Sequence, residues 1–118
     1  MAKDAPLPEG FKSKGLPNSP VIHSDGLVFT AGQVADAAEF ADEARAVLRN
    51  LGACLAAAGC SYPDVLTVYV HLRDLATFDE FNEIYREFFE EPFPARTTVR
   101  AELVGSYRIE VSAIARVP

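Results

Sequence analysis

The feature of this sequence that most limits its fold is the dipeptide Asp25-Gly26, which lies between two short apolar runs. The runs are Val-Ile-His-Ser at 21–24 and Leu-Val-Phe-Thr at 27–30. A two-residue hairpin turn of type I′ needs positive φ at both central residues, and Asp-Gly is one of the pairs that tolerates this. The sequence therefore predicts two antiparallel neighbouring strands joined at Asp25-Gly26.

Beyond the hairpin, the spacing of apolar residues changes to that of a helix. A helix is predicted over 38–58, and Gly59 is placed to end it. The opposite, solvent-facing side of this helix is predicted to carry Asp42, Glu43 and Arg45. The predicted core face consists of Phe40, Ala44, Val47, Leu48, Leu51, Leu55 and Ala58.

The second half of the chain predicts a strand, a helix and two further strands. In the strand at 65–73, Leu66 is expected on the same face as Val68, because side chains alternate along a strand. Thr77 and Glu80 are expected to form a capping box at the start of the next helix. The last strands are predicted at 97–103 and 107–115. We interpret the apolar stripe of the second helix as core, not as a cofactor site: Phe78, Phe81, Ile84, Tyr85, Phe88 and Phe89.

These elements in the order ββαβαββ predict an α+β fold with one mixed β-sheet. Strand–helix–strand crossovers are right-handed, which places both helices on one face of the sheet. Several strands are nevertheless apolar on both sides, since Val21 is followed by Ile22 and Val28 by Phe29. The face without helices needs another cover, and we expect further subunits to provide it.

Length and charge limit the possible classes of protein. The 118 residues fit one domain, with residues 1–18 as an irregular N-terminal arm. The net charge of -6 argues against a nucleic-acid partner. No apolar run approaches the roughly 20 residues of a spanning helix, and no signal peptide is visible, so the cytosol is the expected location. Cys54 and Cys60 lack zinc-site spacing and are expected to be small buried groups, with no metal bound.

Two charged residues stand out near the end of the chain, within Phe-Pro-Ala-Arg-Thr-Thr-Val at 93–99 and Ile-Glu-Val-Ser-Ala-Ile-Ala at 109–115. Arg96 follows a proline corner, and Glu110 lies on the opposite strand face from its apolar neighbours. If the two strands are adjacent, Arg96 could bind a carboxylate while Glu110 handles a proton or a water. The alternative is a cross-strand ion pair on a solvated face. Gly32 closes the second strand. Taken alone it is best explained as a simple strand end, although a glycine there would also let a ligand or another backbone approach closely.

Four motifs follow one another along the chain: Thr-Ala-Gly-Gln at 30–33, Asn-Glu-Ile-Tyr at 82–85 and the segments 93–99 and 109–115. In this order they resemble the Rid family, the reactive-intermediate deaminases also called YjgF or L-PSP proteins. The resemblance extends from Pro17 to near the end of the chain. It implies a chorismate-mutase-like sandwich that assembles as a homotrimer with clefts between subunits.

The resemblance also implies an activity and a set of residues. Active members hydrolyse enamines or imines derived from amino acids to 2-keto acids and ammonia, with no cofactor or metal. By position in the motifs, Arg96 matches the arginine that binds the substrate carboxylate and Glu110 matches the acidic residue that positions water. Gly32 matches a glycine whose backbone borders the ligand, and Asn82 matches an asparagine near the cleft.

Three positions depart from the family pattern. Asn18 lies where a tyrosine is typical, Ala31 replaces a common serine, and Thr98 replaces a common cysteine. These changes leave Arg96 and Glu110 in place, so they bear on the choice of substrate more than on the type of reaction. Two other functions stay open: a non-catalytic module that binds small carboxylates, and an RNA-cleaving activity, which the acidic charge disfavours.

Overall fold

A computed structural model describes residues 3–118 of the chain. The element order predicted from the sequence is confirmed, and short 3-10 turns precede the third strand and the second helix. The elements are β1 (Val21–Ser24), β2 (Leu27–Thr30), α1 (Phe40–Ala57), β3 (Val65–Leu72), α2 (Phe78–Tyr85), β4 (Ala95–Arg100) and β5 (Ile109–Arg116).

The hairpin between β1 and β2 forms as predicted. Asp25 and Gly26 have φ angles of 53° and 77°, the left-handed values that a type I′ turn requires. The pairing places Ser24 opposite Leu27 and Val21 opposite Thr30. This hairpin occupies one edge of a five-stranded sheet.

The strands follow the order β1-β2-β5-β3-β4 across the sheet. Only β3 and β4 are parallel, because α2 carries the chain back before β4 begins. β5 lies between β2 and β3 and is antiparallel to both. The expectation that the last two strands are neighbours is therefore wrong: β3 separates them, and β4 forms the far edge.

Both helices pack on the same face of the sheet, which confirms the predicted α+β architecture. The core lies between them and the inward side chains of the strands. On β5 every second residue is buried, and the residues between them face the opposite side, which we call the open face. The fully buried side chains include Leu48, Leu51, Leu55, Val68, Val70, Phe81, Ile109 and Val111.

The open face carries exposed apolar side chains, as the sequence predicts. Phe29 and Tyr69 are each 40% exposed, Val99 is 43% exposed and Leu66 is 45% exposed. The prediction that Leu66 shares the face of Val68 is wrong, because a β-bulge at Val65–Thr67 inserts one extra residue and turns Leu66 outward. An exposed apolar patch of this kind commonly marks an interaction surface.

Two predicted details of the helices are wrong. Glu43 is buried, not solvent-facing, because its carboxylate accepts hydrogen bonds from the backbone N–H and the Nε of Arg108, at 2.8 and 2.6 Å. The capping box at Thr77 and Glu80 is absent from α2. Instead, the Thr77 hydroxyl donates to the Asp74 carbonyl, and the Asp74 carboxylate accepts from the N–H of Ala76.

The N-terminal arm is attached to the hairpin at one point. Asp4 and His23 exchange two backbone hydrogen bonds of 2.9 Å. Both cysteines are buried and unpaired, as predicted. Within residues 3–118, no helix combines the length and apolar character needed to cross a membrane.

Candidate active site

Arg96 is placed by the parallel pairing of β4 with β3. It lies opposite Val68, whose side chain is fully buried on the helix-covered face, so Arg96 points to that same face at the edge of the sheet. Its Nη2 donates a hydrogen bond of 2.6 Å to Oδ1 of Asn82 on α2. The structure thus brings together Arg96 and Asn82, two of the residues selected from the sequence. Thr98, two positions along β4, lies opposite the buried Val70 and shares the face of Arg96.

Three aromatic rings of α2 surround the Arg96 guanidinium. Its Cζ lies 4.9 Å from the ring centre of Tyr85, 5.5 Å from that of Phe81 and 5.6 Å from that of Phe78. At these distances the ring faces attract the cation and limit its movement. The aromatic stripe of α2 therefore has two roles, since Phe81 and Tyr85 are also part of the core.

Burial shapes the electrostatics around Arg96. Burial lowers the pKa of Arg96, and the nearby Arg86 charge lowers it further, although a guanidinium stays charged in proteins. Burial raises the pKa of Tyr85 to about 12, so its hydroxyl keeps its proton at neutral pH. In residues 3–118, Arg96 has no carboxylate within ion-pair distance. Its positive charge is therefore available to an external anion.

A cavity of about 270 Å³ opens beside this guanidinium. It is of the size that suits a small molecule, near the lower limit for ligand pockets. Its lining residues are Asn82, Tyr85, Arg86, Phe93, Pro94 and Arg96.

Glu110 lies on the open face of the sheet, in the middle strand β5. It pairs across the strands with His71 of β3. Its carboxylate packs directly on Gly32: a Cβ added to Gly32 would lie 2.1 Å from Glu110 Oε2. The bridge between Gln33 and Val111 fixes this approach through two backbone hydrogen bonds of 2.8 and 3.1 Å. The predicted close approach at Gly32 is thus made by the carboxylate of Glu110.

Ala31 and Asn18 lie near Gly32 along a larger cavity of about 590 Å³ beneath the N-terminal arm. Neither Arg96 nor Glu110 lines that cavity. Volume alone does not make it the better candidate. The cations in its lining are Lys12 and Lys14 of the N-terminal arm, whereas the guanidinium of Arg96, which can bind a carboxylate through two parallel donors, opens onto the smaller cavity beside α2. Among the residues that the structure describes, no three His, Cys, Asp or Glu side chains form a group that could hold a metal ion.

The selected residues therefore form two groups within one chain. Arg96, Asn82 and Thr98 lie toward the helices at one edge, whereas Glu110 lies on the open face with Gly32. The expectation that Arg96 and Glu110 meet on neighbouring strands is wrong, because β3 intervenes and the two side chains point to opposite faces. Sequence reasoning also missed the contacts of Phe78, Phe81 and Tyr85 with Arg96. The sequence shows that these three residues share one side of α2, but it does not show which strand packs against that side.

Comparisons with known proteins show which proteins this chain is similar to. Residues 14–117 match the model of a family described as endoribonuclease L-PSP. The human 2-iminobutanoate/2-iminopropanoate deaminase is 34% identical over 84% of this chain and 79% of its own length. The 3-aminoacrylate deaminase RutC of Acinetobacter baylyi is 32% identical over 99% of this chain and 100% of its own. The crystal structure of E. coli TdcF with bound serine superposes with a TM-score of 0.80 at 32% identity, over 85% of this chain and 87% of that one.

Proposed function

This chain belongs to the L-PSP family, also called the Rid or YjgF family, and from that premise we propose that it hydrolyses 2-imino acids and the enamines that tautomerise to them. The observation that carries the proposal is the Arg96 guanidinium. Asn82 and three aromatic rings hold it beside a small cavity, and no carboxylate of the described chain neutralises it. It is arranged to receive a small organic acid.

Arg96 binds the carboxylate of the substrate through two parallel N–H donors. A guanidinium has a planar fork that matches a carboxylate, whereas a lysine ammonium provides only a point charge. Because Asn82 and the rings already fix the guanidinium, little conformational entropy is lost when the substrate binds. The imine carbon is then held in one position relative to the attacking water.

Glu110 positions that water, accepts a proton from it and transfers this proton to the nitrogen. Water adds to the C=N carbon, the nitrogen is protonated, and the C–N bond breaks to release ammonia and a 2-keto acid. The substrate is already electrophilic, so the protein need not supply a nucleophile of its own. One oriented carboxylate is sufficient as general base.

We propose that the two groups meet between copies of the chain, in a homotrimer. In a single chain Arg96 and Glu110 face opposite sides of the sheet, so a pocket with both needs Arg96 from one copy and Glu110 from another. The exposed apolar side chains of the open face around Glu110, among them Phe29, Tyr69 and Val99, support such an interface. The interface would also exclude water from the cleft.

The proposal is tested by Arg96→Lys, with Arg100→Lys on the same strand as the matched control. Release of ammonia and keto acid is measured from freshly generated 2-iminobutanoate, after subtraction of spontaneous hydrolysis. We expect kcat/KM to fall roughly 100-fold in Arg96→Lys, as for a loss of substrate orientation, and to stay within twofold in Arg100→Lys. Unchanged hydrolysis by Arg96→Lys would rule out the assigned role of Arg96.

The same assay separates a hydrolase from a binding module. Glu110→Gln removes the general base but leaves Arg96 and its cavity intact. A hydrolase loses turnover in this variant while still binding 2-oxobutanoate, whereas a binding module has no turnover to lose. For RNA cleavage, named in the family description, the net charge of -6 is unfavourable because phosphates are repelled.

A further inference from the structure

The cavity beside Arg96 contains a second cation. Its lining includes both Arg86 and Arg96, with the neutral Asn82, Tyr85, Phe93 and Pro94, and no acidic residue. The chain as a whole has 17 acidic and 11 basic residues, so two arginines without an acid in one small cavity depart from its overall balance. A monocarboxylic substrate would occupy only one of them.

The structure places Arg86 close to the first binding group. It follows the last residue of α2, and its backbone N–H donates to the carbonyl of Asn82, the residue whose side chain holds Arg96. Its charge is near enough to contribute to the lowered pKa of Arg96. Two like charges that repel each other across one cavity are both stabilised by a ligand with two negative charges.

The present partner of Arg86 does not bind it strongly. Its Nη1 lies 3.3 Å from the carboxylate of Glu83 and 3.5 Å from the carbonyl oxygen of Asn82, and the side chains of Arg86 and Glu83 are 61% and 80% exposed. Exposed ion pairs between neighbouring helix positions contribute little to stability. Arg86 can therefore exchange Glu83 for a ligand carboxylate at little cost.

We propose that Arg86 is a second anion-binding residue of the Arg96 cavity, and that the preferred substrates are 2-imino acids with a second carboxylate on a short side chain. The proposal rests on the proposed imine hydrolysis and makes it more specific. Arg96 binds the carboxylate next to the imine carbon, and Arg86 binds the distal one. The small volume of the cavity, about 270 Å³, favours short side chains, such as those with one or two methylene groups between the imine carbon and the distal carboxylate. Hydrolysis converts such an imine and one water to a 2-keto dicarboxylate and ammonia.

Two substrates with the same four-carbon skeleton test this directly. 2-Iminosuccinate, generated from aspartate by an aspartate oxidase, ends in a carboxylate, whereas 2-iminobutanoate ends in a methyl group. We expect the wild-type protein to favour 2-iminosuccinate by roughly tenfold in kcat/KM, the effect of one charge-assisted hydrogen bond. In Arg86→Gln this preference is lost: the ratio of kcat/KM for 2-iminosuccinate to kcat/KM for 2-iminobutanoate falls to near one, through a higher KM for 2-iminosuccinate. Arg49→Gln, an exposed arginine of α1, changes the net charge equally and should leave the preference intact.

A binding measurement separates failure of this inference from failure of the proposed function. Calorimetry compares 2-oxoglutarate with 2-oxopentanoate, which differ only in the terminal carboxylate, for wild type and Arg86→Gln. We expect roughly tenfold tighter binding of 2-oxoglutarate, lost in the variant, whether or not imines are hydrolysed. Equal affinity for the two acids, or a preference that persists in Arg86→Gln, would overturn the role of Arg86. Absence of 2-iminobutanoate hydrolysis by the wild type would count against the proposed function instead.

Discussion

Replacement of Gly32 by alanine provides a test of the position of Glu110. The Cβ of the new alanine would lie 2.1 Å from Glu110 Oε2, whereas ordinary contact begins near 3.4 Å. The carboxylate must therefore move by more than 1 Å. The backbone itself accepts alanine, because Gly32 does not have the positive φ found at Gly26 and Gly59.

The expected effect is large on activity and small on stability. A displacement of about 1 Å in a catalytic group can lower the rate about 100-fold, which corresponds to roughly 2.7 kcal/mol in the activation free energy. The displaced atoms are the end of a flexible, partly exposed side chain, so the fold can absorb the change. Replacement of glycine by alanine also restricts the unfolded chain, which stabilises by about 0.4–1 kcal/mol. We therefore expect the free energy of unfolding of Gly32→Ala to stay within about 1 kcal/mol of wild type.

The assay combines kcat/KM for 2-iminobutanoate with chemical denaturation, in a cycle with Glu110→Gln. If Gly32→Ala acts through Glu110, adding it to Glu110→Gln should lower the residual kcat/KM of that variant by no more than about threefold. Gly52→Ala is the structural control: its Cβ would lie 2.2 Å from the Tyr62 hydroxyl, and neither Gly52 nor Tyr62 is among the residues that line the Arg96 cavity. We expect it to change stability without changing kcat/KM of the folded protein. Full activity in Gly32→Ala would refute the inferred dependence on the position of Glu110.

Four further predictions concern packing, ionisation and assembly. Glu43→Ala leaves Arg108 without its buried partner and should lower the free energy of unfolding by about 3 kcal/mol; a change below about 1 kcal/mol in denaturant titration would contradict this. Tyr85→Phe removes a buried hydroxyl that has no hydrogen-bond partner among the described residues, so unfolding should become about 1 kcal/mol less favourable. Because the raised pKa of Tyr85 disfavours ionisation in the folded state, the wild type should also lose stability as the pH rises above 10, where the unfolded tyrosine loses its proton. Phe29→Asp on the open face should convert a wild-type species of about three times 12.8 kDa into a folded monomer in sedimentation, and a monomeric wild type at micromolar concentration would contradict the proposed trimer.

Local chemistry was sufficient for much of the fold. The Asp25-Gly26 turn, the buried face of α1 and the stop at Gly59 depend on neighbouring residues, so their signals are present in short segments. The wrong predictions concern features that depend on residues far away in the chain. Glu43 is buried only because Arg108, 65 residues later, satisfies its carboxylate, and Leu66 faces outward because pairing with β5 introduces a bulge.

The same distinction between local and distant residues applies to the predictions for the candidate site. The sequence by itself identified Arg96 as a candidate to bind a carboxylate and Glu110 as a candidate to handle a proton or a water, because the proline corner before Arg96 and the strand position of Glu110 are local features. Only the tertiary structure decided how they are arranged, because strand order depends on hydrogen bonds between segments far apart in the chain. With β3 between β4 and β5, Arg96 joins Asn82 and the rings of α2, whereas Glu110 packs on Gly32 on the opposite face. The proposed hydrolysis needs both residues in one pocket, and their separation in one chain is why we propose that a second copy of the chain completes the site.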